Sequence, residues 1–320
     1  MHLTQITGRF SRVSNSETKQ KNIAKGLSLG LFAYLIWGSF PLIITGLASF
    51  ANPWEIVVWR IVFGFVTAVI LIAVTKTWKS LFAVFKDKRM LFWIAVSSVF
   101  IVINWQVYVI GVSAGRVIET SLGYFINPIF TVLIAVIHLR EKLNKVQWTA
   151  VGIAFAAVTV LTIDYGHLPW IALTLAGSFG IYGLAKNKLG GKVSALNSYT
   201  LESGALLPLA FIQAFIVASI APGLQMTQHG WEGVVGLAIF GVLTAVPLIL
   251  FGSAAENLPL SWVGFMQFSA PTIQFIIAIT VLQEQMPPVR WVGFVMVWTA
   301  LIILTTDALK RSRANRVLPA

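Results

Sequence analysis

Arg60, Glu119 and Glu202 are charges placed within or at the edges of long apolar stretches, where a charge is costly and by default functional. Arg60 follows the start of its stretch, "PWEIVVWRIVFG", by seven residues. Two readings stand side by side for it: an ion pair with Glu55 or Glu119, or attraction of a substrate anion. Glu202, in "YTLES", is a candidate proton-sensitive gate, with pairing to Lys25 or Lys186 as the plainer alternative. Glu119 joins these two as a charge and gating candidate. Catalytic chemistry finds little else to use. There is no cysteine, and the four histidines, His2, His138, His167 and His229, never fall at metal-ligand spacing. Asp87, Asp164 and Asp307 stand singly at the ends of apolar stretches, and no HExxH pair occurs. No catalytic residue, metal or cofactor is expected, and the chain reads as a non-enzyme.

The stretches that must position these charges dominate the chain, which is 57% hydrophobic and 11% charged. A soluble protein carries about 25% charged residues, so the class is an all-α integral membrane protein. A bilayer core about 30 Å thick needs about 20 apolar residues per helix. On that rule ten spans lie near 25–47, 53–75, 91–111, 118–138, 146–163, 168–185, 198–220, 231–252, 260–282 and 289–307. Residues 1–24 form a mobile tail, 25–163 and 168–307 hold five spans each, and 308–320 is a basic tail. With the N-terminus inside, 20 of the 23 Lys and Arg fall in cytoplasmic tails and loops. Both termini are therefore expected in the cytoplasm. The net charge of +12 is scattered among those loops and forms no continuous face for nucleic acid.

The two halves repeat. "SLGYFINPIFTVLIAVIHLREKL" and "GFMQFSAPTIQFIIAITVLQEQM" place Pro128 and Pro271, and then Glu141 and Glu284, 143 residues apart. "AYLIWG" (33–38) matches "SFGIYG" (178–183). A repeat of five spans must invert, and inverted repeats with interrupted helices near the midplane are a signature of secondary transporters. Pro128 and Pro271 are expected to kink spans four and nine, because proline removes a backbone hydrogen bond and displaces the carbonyl one turn earlier. Freed carbonyls are tolerated in lipid only beside protein or a wet cavity.

That cavity has two groups of candidate lining residues. Tyr34, Trp37, Trp105, Tyr108, Tyr124, Phe179 and Tyr182 supply aromatic rings; Asn104, Asn127, Gln267 and Gln274 supply amides. Glu141 and Glu284 precede spans five and ten and are expected to act as structural hairpin acids at those helix starts, where Asn144 with Gln147 resembles a capping box.

"NWQVYVIGVSAGRVIETSLGYFINP" (104–128), "LPWIALTLAGSFGIYGLAKNKL" (168–189), "TLESGALLPLA" (200–210) and "LTAVPLILFGSAAENLPLSWVGFMQFSAPTIQF" (243–275) resemble the RarD group of EamA-type transporters, in the drug/metabolite transporter superfamily. The resemblance runs from about span one to span ten. It implies a ten-helix bundle of two inverted halves in a bacterial inner membrane, exporting or exchanging small organic metabolites or drugs. The expected partners are a small-molecule substrate and the lipid bilayer, with oligomeric state open between monomer and homodimer. A flippase for a lipid-linked intermediate is the alternative within the same class, and an intramembrane enzyme the alternative from another.

Overall fold

The computed structural model describes residues 23–139, 143–189, 192–220, 223–258, 262 and 265–317, and among these every regular element is a helix. Glu141 lies outside the described residues. A backbone in hydrocarbon must satisfy its own hydrogen bonds, and a single helix does so within one segment. The helices are α1 (Ile23–Gly38), α2 (Phe40–Ala48), α3 (Pro53–Thr75), α4 (Trp78–Val84), α5 (Lys88–Ser113) and α6 (Val117–Leu139). They continue with α7 (Lys145–Tyr165), α8 (Trp170–Leu189), α9 (Ala195–Ser219), α10 (Gly230–Asn257), α11 (Ser269–Thr280) and α12 (Pro288–Val317).

With α1 and α2 taken as one segment, eight segments among the described residues are long and apolar enough to cross a membrane. Their outer faces stay apolar: Val74, Phe155, Ile163 and Phe215 leave 71 to 76% of their surface uncovered. Such faces suit lipid as the surrounding solvent, and the chain is a multi-pass membrane protein.

Local sequence sets the helix limits. Asn52 caps α3 by accepting from the Glu55 amide, with Pro53 following it, and Ser194 caps α9 by accepting from the Asn197 amide. The Asn144/Gln147 capping box forms in both directions at the start of α7. Two interruptions differ from expectation. The first span breaks at Ser39, because Pro41 brings no N–H and opens α2 as a new helix. The ninth is not kinked at Pro271. The helix begins only at Ser269, so Pro271 falls in its first turn, where a missing N–H forfeits no helical bond. The interruption lies just before it, at Gln267 and Phe268. Pro128 does sit inside α6, as Pro208 and Pro247 sit inside α9 and α10.

The main packings are α3 on α9, α6 on α11 and α7 on α12, together with α5 and α6 on α8, α10 and α11 on α1, α5 on α9, and α10 on α3. Small residues allow the closest of these. A Cβ on Gly123 would come within 2.8 Å of the Ala172 carbonyl oxygen and of Leu175 Cβ, so α6 meets α8 backbone to backbone.

Carboxylates tie the connections together at one end. Glu284 accepts from the Val117 and Ile118 amides at 2.6 and 2.9 Å, which caps α6. This corrects the expected partner of Glu284, since the helix start it serves is the one facing it across the bundle and not its own α12. Glu119 accepts from the Ile171 amide at the start of α8 and pairs with Arg116 at 2.5 Å. Glu55 accepts from the amides of Gln225 and Met226 and from the Trp59 indole. Arg290 pairs with Asp164 at 2.9 Å.

Candidate functional site

Inside the bundle lies a cavity of about 550 Å3, a size that suits a drug-sized molecule. All eleven lining residues expected from the sequence are on its wall: Tyr34, Trp37, Asn104, Trp105, Tyr108 and Tyr124, with Asn127, Phe179, Tyr182, Gln267 and Gln274. Pro271 and Arg60 are there too. The cavity extends to Leu189, Val193 and Ala195, the connection between α8 and α9, and none of the carboxylate ties of the other end lines it.

The rings form two groups. Tyr108, Tyr124, Phe179 and Tyr182 follow one another with centroids 5.7 to 5.9 Å apart, drawn from α5, α6 and α8. Tyr34, Trp37 and Phe251 form the second group at 5.5 to 6.0 Å, from α1 and α10. Edge-on and tilted packing of this kind holds each ring rigidly and leaves an apolar wall.

Amides brace the wall. Asn104 is buried, donates to the Leu175 carbonyl and to Ser178 Oγ at 3.1 Å each, and accepts from the Tyr124 hydroxyl at 3.0 Å. One amide therefore fixes α5, α6 and α8 relative to one another. Gln274 donates to the Trp37 carbonyl at 3.2 Å, beside the break between α1 and α2. Other polar atoms are left without a protein partner: Tyr108 and Tyr199 Oη, Asn127 Oδ1 and Gln274 Oε1, all buried and all on residues of this wall.

Arg60 is 5% exposed and makes an ion pair with neither Glu55 nor Glu119. Both acids are committed elsewhere, to backbone amides and to Arg116. The guanidinium instead lies over three rings, 4.5 Å from the Trp105 centroid, 5.1 Å from Phe240 and 5.4 Å from Phe40. Its Nε and Nη1 have no hydrogen-bond partner.

Glu202 is settled differently. It is 1% exposed, pairs with Lys186 at 2.6 Å, and accepts from the hydroxyls of Ser97, Ser198 and Tyr182. Glu119 serves a helix start at the tied end, and Glu284 does the same, so neither reaches the cavity.

Sequence reasoning missed Phe40, Tyr199, Thr244, Phe251 and Lys186 as lining residues, although it named Lys186 as an alternative partner for Glu202. Phe251 had a signal, since it stands 143 residues after Tyr108.

Residues 24–163 match the model of the EamA-like transporter family. A RarD protein of Streptomyces exfoliatus is 39% identical over 292 residues, covering 91% of each chain. The RarD protein of Escherichia coli K12 is 35% identical, covering 92% of this chain and 98% of that one. An uncharacterized transporter of Bacillus subtilis 168, YojE, is 34% identical and covers 95% and 99%. One crystal structure of another protein aligns with a TM-score of 0.57 at 13% identity, over 90% of this chain and 98% of that one, which speaks for the fold alone.

Proposed function

The chain belongs to the EamA-like transporter family, together with the RarD proteins, and on that footing we propose that it is a secondary transporter working by alternating access. It carries small organic solutes across a bacterial cytoplasmic membrane unchanged, as an exporter or exchanger, with both termini in the cytoplasm. The observation that carries this reading is the cavity, which is walled by helices of both halves and extends toward the α8–α9 connection, while carboxylate ties close off the other end. With the basic loops inside, that arrangement is an inward-facing one.

Ten spans in two inverted halves is the architecture we infer, with α8 and α11 completing the eight longer segments. The packing supports it. When the first half (α1 with α2, α3, α5, α6, α7) is exchanged for the second (α8 to α12), α6–α8 becomes α11–α1, α5–α8 becomes α10–α1, and α5–α9 becomes α10–α3. The pairs α3–α9, α6–α11 and α7–α12 map onto themselves. The ring pairs Tyr34–Trp37 and Phe179–Tyr182 exchange in the same way, and Phe251 takes the place of Tyr108, which reaches Phe179 through Tyr124. Two near-equal halves that can trade conformations open one central site to either side.

Counterflow of labelled solutes in proteoliposomes tests the proposal, with Thr244→Trp as a variant that fills the cavity. Saturable flux in wild type and its loss in a folded Thr244→Trp protein are expected. Flux that survives the filled cavity would move the route elsewhere. Reporter fusions at residue 320 and in the 221–230 loop should report opposite sides.

A further inference from the structure

We infer that the cargo of this cavity is an organic anion, an apolar or aromatic carboxylic acid whose carboxylate is received by Arg60. The inference rests on the cavity being the transport site. Among the described residues, Arg60 and Lys186 are the charged ones on the cavity wall, and no carboxylate lines it. Lys186 is already neutralised, 2.6 Å from Glu202. The uncompensated charge is Arg60, nine-tenths and more buried, with Nε and Nη1 free.

A buried, unpaired cation is hard to explain as scaffolding. Its rings at 4.5 to 5.4 Å offer attraction to the flat face of the guanidinium but accept none of its N–H groups. Those N–H groups lie in the plane on different edges of the guanidinium, so each can donate a charge-assisted bond to an anion's oxygen, and a two-bond fork engages Nη2 beside either of them. Tyr108 and Tyr199, both with hydroxyls unbonded, can add neutral donors on the same wall.

The acceptors tell of the rest of the molecule. Asn127 Oδ1 and Gln274 Oε1 are also unbonded and suit an N–H or O–H of the cargo. A primary ammonium has no carboxylate to meet among the described residues of this wall, so a free amino acid is disfavoured against its N-acylated form.

The test compares acids with their primary amides, which keep the same body and lose the charge. Two pairs serve: N-acetylphenylalanine with N-acetylphenylalaninamide, and indole-3-acetate with indole-3-acetamide. Free phenylalanine is the zwitterionic probe. Binding is read on the purified wild-type protein by tryptophan fluorescence and thermal shift. Each acid should bind about tenfold to hundredfold more tightly than its amide, the range of one charge-assisted contact. Phenylalanine should bind more weakly than its N-acetyl form. Arg60→Gln should erase the preference for acid, because the acid loses far more affinity than the amide, whose carbonyl gives up only a neutral acceptor's bond, and Arg60→Lys should keep part of it. Equal affinity of acid and amide in wild type, or a preference that persists in Arg60→Gln, would overturn the anion assignment and leave the cavity reading standing. Saturable binding by none of the probes would overturn both.

Discussion

Glu55 and Asn197 occupy the same place in two different helices, and each reaches across to the chain that follows the other's helix. Glu55 stands three residues after the cap of α3, Asn52, and holds the Gln225 and Met226 amides beyond α9. Asn197 stands three residues after the cap of α9, Ser194, and donates to Ser80 in α4, beyond α3, at 2.9 Å. The exchange of partners is what a two-fold relation between the halves requires. The chemistry differs, because one is a fully buried carboxylate holding backbone and the other a single side-chain bond.

That difference sets an order of stability. Glu55→Ala strands the buried Gln225 amide, the half-buried Met226 amide and the Trp59 indole and should cost about 2–4 kcal/mol, against about 1 kcal/mol for Asn197→Ala. Unfolding of both variants in one detergent measures it. Equal losses, or the reverse order, would mean that these ties do not hold the loops.

Glu284→Ala leaves the Val117 and Ile118 amides open at the start of α6 and should cost about 1–2 kcal/mol. The wild-type residue also carries a pH dependence. Burial raises its carboxyl above the ordinary carboxylate range, outweighing the Ile118 and Val117 amides and Arg290, which pull it down. A raised folded pKa means that stability from this group is complete below the unfolded value of about 4.3 and is lost as pH rises through the folded one. Wild type should therefore lose stability relative to Glu284→Gln as pH rises from about 4.3, the unfolded value, through the raised folded one. A wild-type advantage that grows with pH would refute the sign.

Glu202 was a gating candidate by its position, and its surroundings now favour a structural pair. Glu202→Gln should destabilise by about 2 kcal/mol or more, because it leaves Lys186 without its acid at a site that is 1% exposed on the acid's side. Adding Lys186→Met should recover part of the loss, so the double variant costs less than the sum. In proteoliposomes, exchange and gradient-driven accumulation should fall together. Selective loss of gradient-driven accumulation would restore the proton-gate role.

Gly123→Ala, where α6 meets α8, and Gly183→Ala, at an exposed position of α8, form a contrast. A methyl at 123 meets the Ala172 carbonyl oxygen and Leu175 and must push the helices apart, at about 1–3 kcal/mol. At 183 a methyl meets nothing within 4 Å, so the substitution should be neutral or stabilising by up to about 1 kcal/mol. Thermal unfolding of the two variants decides, and equal melting would remove the close packing as the role of Gly123.

Much of this was legible in the chain. Apolar length gave eight of the ten expected spans among the described residues, because hydrocarbon imposes helices, and the Asn144 cap wrote local geometry directly. Three things were not legible. Membrane helices are apolar on every side, so periodicity does not separate the face that meets lipid from the face that meets the cavity, and Phe40 and Tyr199 went unnoticed. The partner of Glu284, Val117, lies 167 residues away from it in sequence, a distance that no local rule spans. Arg60 had an acid in view on either side, and only the packing shows that both are taken.

The uncompensated guanidinium also has an electrical consequence. A carrier with one fixed positive charge in its cavity crosses its cycle neutral when it holds a monoanion and charged when it returns empty. Each turnover that delivers a monoanion outward then moves one negative charge across the membrane. In a cell that is negative inside, the voltage contributes about 2.3 kcal/mol per 100 mV to that movement. Export of such a cargo would be driven by the membrane potential itself, and it would appear as current in a voltage-clamped bilayer without any proton or sodium ion crossing alongside.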